Sequence, residues 1–306
     1  MTQKVSDDVL NFSGQPFGTG PLIDLNGQYA RYEIRVNQDG FNYIVQNTLY
    51  NKQGQAALTQ PVQFPTGVTG ANQPVGAIVI KAAWRVLGPN DHPERYHTVK
   101  SYVYTPASTN PPTPESCTLQ TMGLVGFHIA HKTQSAPQWV WSTFEQVDNV
   151  QVGPNAPAGL KPTYYNPDCS NCPINKPPPK PWNPNAPKSQ PAQIVRLIPI
   201  DSATQQLNSE WQGMLKNVNA NSVWQYYQLI STQWPTAQGK ENQPSGALPA
   251  GAPAPQFLAN LTLETYIQGQ VPNVSSSCII CHNNATTTNA KFSDFSYVLQ
   301  SAKEKK

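Results

Sequence analysis

Charge is scarce in this chain. Asp, Glu, Lys and Arg make up 12% of its 306 residues, about half the usual share. The formal net charge is +3, and the one concentration of lysine is the tail from Lys303 to Lys306. That leaves no electrostatic footprint for nucleic acid. No apolar run approaches the roughly 20 residues of a membrane-spanning helix, so no membrane span is expected. No Ser-His-Asp order, phosphate loop or carboxylate pair stands out, which removes the usual signatures of hydrolytic and phosphoryl chemistry. Potential metal ligands are few, with five His, five Cys and three Met. A charged, apolar leader is also missing, since Met1-Thr2-Gln3-Lys4-Val5-Ser6-Asp7-Asp8 is polar.

Proline is abundant at 31 residues, about twice average usage, and Asn, Gln, Ser and Thr fill much of the rest. This is the composition of an exported protein, with the expectation that Met1 replaces a removed leader or that numbering starts at the mature chain.

The stretch Ser277-Cys278-Ile279-Ile280-Cys281-His282 carries the clearest chemistry. It reads C-x-x-C-H, the attachment signature of haem c. Two thiols at this spacing can each add to one vinyl group of the same porphyrin. The adjacent His282 then reaches the iron as proximal ligand. A disulfide with a bystander His, or half of a zinc site, is the competing reading. Zinc needs two further ligands, and the other pair, Cys169 and Cys172, lies more than a hundred residues upstream. The expected cofactor is one covalent haem c on Cys278 and Cys281, with His282 on the metal.

Alternation of apolar and polar residues from Ala30 to Val36 predicts a strand. Asn37 to Gly40 then reads as a turn and Phe41 to Tyr50 as a returning strand. Gly76 to Leu87 is nearly all apolar and suits a strand covered on both faces, interrupted by Lys81 and Arg85. Tyr96–Thr105, Thr121–His131 and Gln138–Val147 are further strands. Trp139 and Trp141 share one face of the last, as core with a haem wall as the other reading. Residues 173–192 are too rich in proline for helix or central strand.

Beyond a short strand at Gln193–Pro199 the character turns helical. Ser202-x-x-Gln205 reads as a capping box before Leu207, Trp211, Met214 and Leu215. Ser222 caps a second helix, Phe257–Gln268 forms a third, and Ser293 caps the last. A loose Pro, Ala and Gly stretch separates them at Pro235–Gln256. Strands first and helices last point to an α+β fold. A β-rich antiparallel-sheet body (1–172) is followed by a Pro-rich connector (173–192) and a short, mostly helical part carrying the haem (193–306). One compact unit is expected, because Trp211, Trp224 and Trp234 need a sheet to pack against.

The common small electron-transfer cytochromes place C-x-x-C-H early and supply a later Met. Here neither Met nor His follows His282, so any second iron ligand comes from upstream. With Gly27 to Ile34, Lys81 to Arg85, Gly123 to Ile129, Trp139 to Glu145 and Cys278 to His282, the chain resembles bacterial mono-haem proteins grouped as "cytochrome c family", with a β-rich body and a C-terminal motif. It is also similar to P-460-type cytochromes in Phe64-Pro65-x-Gly67, an apolar strand ending in Lys81, and Cys278-x-x-Cys281-His282 followed by Asp294-Phe295. That second resemblance implies a haem–lysine cross-link at Lys81 and oxidoreductase chemistry on hydroxylamine or nitric oxide.

The upstream histidines are His92, in a turn, His97, opening a strand, His128, flanked by apolar residues, and His131, on the other strand face. His128 is the leading candidate for a distal ligand or pocket residue, and Lys81 and His128 are the catalytic candidates. Met122 and Met214 read as core fillers. Export favours a disulfide. Cys117 with Cys169 or Cys172 is expected, with closure of Cys169 on Cys172 as the other choice. Glu145, Asp148 and Asn149 read as a solvated acidic turn.

Two classes of function follow. One is an exported haem redox protein, passing electrons to a redox partner protein or acting on a small redox-active molecule. The other is a structural or binding module of the cell envelope in which haem is a fixture. The sequence leaves open whether the protein is an enzyme.

Overall fold

The structure, a computed structural model, describes residues 15–105, 107–109, 112–179, 191–236, 252–269 and 276–305. It is an antiparallel, sheet-rich α+β fold with few helices. The strands are β1 (Arg31–Val36), β2 (Ile78–Val86), β3 (Thr98–Thr105), β4 (Ser108–Thr109), β5 (Pro112–Thr113), β6 (Ser116–His131), β7 (Val140–Gln146), β8 (Tyr227–Pro235) and β9 (Pro253–Ala254). The sheet runs β1-β2-β6-β7-β8-β9, with β3 paired to the first half of β6 and β4-β5 forming a separate ribbon. The helices are α1 (Gln38–Gln46), α2 (Lys52–Ala57), α3 (Ser202–Val218) and α4 (Cys278–His282).

Directly paired residues share a face of an antiparallel sheet, so the register builds rows across five strands. One row is Val36, Val79, Ala130, Trp141, Gln233. The next is Ile34, Lys81, His128, Thr143, Ser231. A third runs Tyr32, Ala83, Gly126, Glu145, Gln228. The C-terminal segment crosses this face. Leu261 N donates to Glu145 Oε1 at 2.7 Å, and Asn260 Nδ2 donates to Thr143 Oγ1 at 2.7 Å. A Cβ at Gly126 would lie 2.3 Å from Thr262 Oγ1, so the segment lies against the sheet only because residue 126 is glycine. Between sheet and C-terminal segment sits an apolar cluster of Leu49, Phe64, Trp139, Trp141, Ile279 and Phe295.

Several expectations need correction. Phe41 to Tyr50 is not a returning strand. The Asn37 side chain accepts from Gly40 N and Ile78 N, capping α1 and tying it to β2. Gly40 passes so close to Val36 that a Cβ there would lie 2.5 Å from its side chain.

Gln193–Pro199 forms no strand, and Val223–Tyr226 is a 3-10 turn leading into β8, which joins the sheet. Phe257–Gln268 is largely irregular, with a 3-10 turn at Thr265–Ile267. The last 3-10 helix, Tyr297–Ser301, is capped by Ser296 rather than Ser293. The α3 cap is Asp201. Asn208 bonds both N and O of Leu229, and Gln212 bonds Tyr227 O. These amides turn the polar side of α3 inward, so Leu207, Trp211, Met214 and Val218 are exposed, as are Trp224 and Trp234. Of the connector, residues 173–179 carry no helix or strand, and 180–190 lie outside the described residues, as does most of Pro235–Gln256.

Cys169 pairs with Cys172, and Cys117 is exposed and free, so the expected bridge to Cys117 does not form. A three-residue separation closes on itself at little entropic cost. Glu145, Asp148 and Asn149 are buried. Glu145 pairs with Arg196, and Asp148 takes Arg95 Nε and Nη2 at 2.8 Å each.

Burial pushes the Asp148 carboxyl up, but Arg95, Gln146 and Gly153 N outweigh it and hold the carboxyl below its usual range. Its contribution to stability is therefore present above the unfolded-state value near pH ~3.9 and is lost as pH falls. Asp148→Asn is expected to cost about 3–5 kcal/mol in denaturant unfolding and to flatten the acid limb of the stability profile. A change below about 1 kcal/mol would contradict this, being the size of an exposed pair.

Candidate functional site

The motif occupies α4. Ser277 caps it, its Oγ accepting from Ile280 N at 3.4 Å. Gln233 Oε1 on β8 accepts from Ile279 N at 3.0 Å and from Ser277 Oγ at 3.4 Å. Helical spacing then puts Cys278, Cys281 and His282 on one face, while Ile279 is buried in the apolar cluster. Both thiols are free, whereas the other pair at the same spacing is oxidised.

His282 Nδ1 lies 2.7 Å from the carbonyl oxygen of Phe295. A carbonyl only accepts, so Nδ1 carries the proton and Nε2 keeps its lone pair. The ring stands 4.4 Å from Trp141 and 5.1 Å, edge-on, from Tyr297. Burial pushes the His282 pKa down to about 4, and the charges of His128 and Lys81 add to this against the Phe295 carbonyl and Glu264. The imidazole is neutral at pH 7, the form a metal ligand needs. Burial, then Glu264, pushes the Cys278 thiol well above its usual range, and Cys281 is raised for the same reasons.

The row Lys81–His128 faces this motif. Lys81 Nζ sits 5.2 Å from the centre of the Tyr32 ring. Burial lowers its pKa, and the fields of Glu264, Cys281 and Cys278 oppose that shift. His128 Nε2 is 2.8 Å from Glu264 Oε1, and its buried Nδ1 has no hydrogen-bond partner among the described residues. The Glu264 carboxyl is pushed up by burial, but His128 and Lys81 outweigh this and hold it below its usual range. Glu264 and Lys81 act through their charges on Cys278, Cys281 and His282, and His128 acts on Glu264 and His282.

The structure brings Lys81 and His128 to the motif and leaves the other candidates elsewhere. His92 bonds Glu94 in an exposed turn. His97 stacks on Trp224 at 5.0 Å beside Trp84, on the opposite sheet face. His131 Nε2 bonds Val75 O. Met122 pairs with Val86 and Val99, far along β6, and Met214 is exposed on α3. Trp141 is both core and neighbour of His282. Glu264 escaped the sequence reading: it lies 136 residues from His128 in chain order, inside a stretch expected to be helix. Comparison with family models, curated proteins and solved structures finds no match.

The thiol inventory gives a direct test of the site. If Cys278 and Cys281 carry haem, the denatured, reduced protein takes up alkylating reagent only at Cys117, Cys169 and Cys172 and retains the haem mass. Alkylation of all five cysteines would contradict this.

Proposed function

We propose that this chain is an exported c-type cytochrome holding one haem c through Cys278 and Cys281, with His282 as proximal ligand. It acts in electron transfer or small-molecule redox chemistry. The observation that carries this reading is the His282 Nδ1 bond to Phe295 O: it leaves Nε2 for iron, beside two free thiols on the same helical face. Bound there, haem supplies one-electron chemistry at iron. Zinc is less well supported, because no group of three or more His, Cys, Asp or Glu is arranged to hold a metal ion among the described residues. The Cys169–Cys172 disulfide supports export to an oxidising compartment. No helix among the described residues is long and apolar enough to cross a membrane.

Within this reading, small-molecule chemistry is favoured over bare electron carriage. An electron carrier would use His128 as second ligand, but Glu264 holds its Nε2, so only Nδ1, the ring nitrogen next to Cβ, is left for iron. Lys81, His128 and Glu264 instead offer a charged, hydrogen-bonding lining for a ligand at iron. The reduced protein is therefore expected to be high-spin and to bind carbon monoxide, and His128→Ala to retain both properties. A low-spin wild type that turns high-spin in His128→Ala would make His128 the second ligand and restore the carrier reading.

One observation favours the narrower P-460-like reading, with hydroxylamine or nitric oxide as substrate. Lys81 lies on the motif's side of the sheet, and its charge acts on both cysteines. Under that reading, proteolysis releases a haem peptide joined to the β2 segment, and Lys81→Ala abolishes the link. A haem peptide carrying the α4 segment alone would remove this reading and leave the broader one standing.

A further inference from the structure

Asp294 and Phe295 both adopt left-handed backbone, at φ 53° and 64°. Two successive non-glycine residues in this region are strained and persist only where the surroundings over-determine them. The Phe295 side chain is fully buried. Ser293 N donates to Ala285 O at 3.0 Å, Ser293 Oγ donates to Ser296 O at 2.7 Å, and Ser296 N donates to Ser293 O at 3.1 Å. Asp294 Oδ2 accepts from Lys132 Nζ at 2.6 Å and from Phe64 N at 2.7 Å. The turn so fixed presents the Phe295 carbonyl to His282 Nδ1 at 2.7 Å.

Lys132 is itself held by the sheet. It follows the last residue of β6, and its N donates to Ala77 O at 2.9 Å. Its carbonyl passes so near Gly76 that a Cβ there would lie 2.2 Å from it. Lys132 and Asp294 are both buried, with side chains 2% and 7% exposed. A buried ion pair is weak evidence for stability, since apolar replacements of similar volume are often neutral. A single orienting use accounts better for it.

We propose that the Lys132–Asp294 pair is a positioning device for His282. It locks the left-handed turn, and the turn sets how strongly the Phe295 carbonyl draws on the Nδ1 proton. A stronger bond there makes the imidazole a better electron donor through Nε2, which favours ferric over ferrous iron and lowers the midpoint potential. This rests on His282 being the proximal ligand. Neither residue touches iron; both act through the Phe295 carbonyl.

The test compares Asp294→Asn and the double variant Lys132→Met/Asp294→Leu with wild type and with the remote Asp148→Asn, all as mature haem-loaded protein. The double variant replaces the pair with apolar side chains and keeps the test open if Asp294→Asn fails to fold. The readouts are the iron–histidine stretching band in the resonance Raman spectrum of the ferrous protein and the midpoint potential. Loss of the pair is expected to lower the band frequency and raise the potential. Weakening ferric over ferrous binding about tenfold corresponds to about 59 mV for one electron. Asp148→Asn should lower Tm and leave both readouts in place. An unchanged band and potential in the double variant, or equal shifts in Asp148→Asn, would overturn the positioning role while leaving the haem reading intact. A wild type with no covalent haem would overturn the haem reading and the device with it, and in a low-spin wild type, which has no such band, the midpoint potential decides.

Discussion

One hydrogen bond sets the terms for the site: His282 Nδ1–H to the carbonyl of Phe295, at 2.7 Å. It fixes the tautomer, aims the ring and leaves Nε2 as the free lone pair. Two things must hold for it to exist. The helical turn carrying His282 must sit at a fixed height on the sheet, which Gln233 arranges by accepting from Ile279 N. The chain must also return to the ring in an unfavourable backbone conformation, which Lys132, Phe64 N and Ser293 sustain. Both supports trace back to the same face of the sheet.

That face is built by register. Pairing across β1, β2, β6, β7 and β8 ranks the side chains in rows, so residues far apart in sequence stand side by side. Lys81 and His128 are direct neighbours for this reason, and Trp141 lies one row away against His282. Gly126 lets the segment from Asn260 to Thr265 cross the sheet closely enough for Glu264 to reach His128. Buried charges are costly unless paired. Here Arg95–Asp148, Arg196–Glu145 and Lys132–Asp294 are paired, and Lys81 and Glu264 share one field.

The sheet body was legible where residue type and period agreed. The apolar run around Lys81 and the strands of His128 and Trp141 formed as their composition dictates. The C-x-x-C-H stretch carried its own spacing and pointed to the motif without any knowledge of the fold. What the sequence concealed was set by long-range partners or by side-chain caps. Asn37 reads as a turn residue, yet its amide caps a helix because Ile78 N also needs its oxygen. The apolar stripe of α3 implied an inward face, whereas Asn208 and Gln212 reach the backbone of β8 and turn that stripe outward. Glu264 and Lys132 had no local signal at all, because their roles depend on partners more than a hundred residues away.

Diffraction from the mature protein at the iron absorption edge tests the central claim most directly. If the haem reading holds, there is one anomalous peak within bonding reach of His282 Nε2 and thioether density continuous with Cys278 and Cys281, with Lys81, His128 and Glu264 lining the haem pocket. A peak elsewhere, a zinc edge in place of iron, or His282 Nε2 turned away from the metal would contradict it.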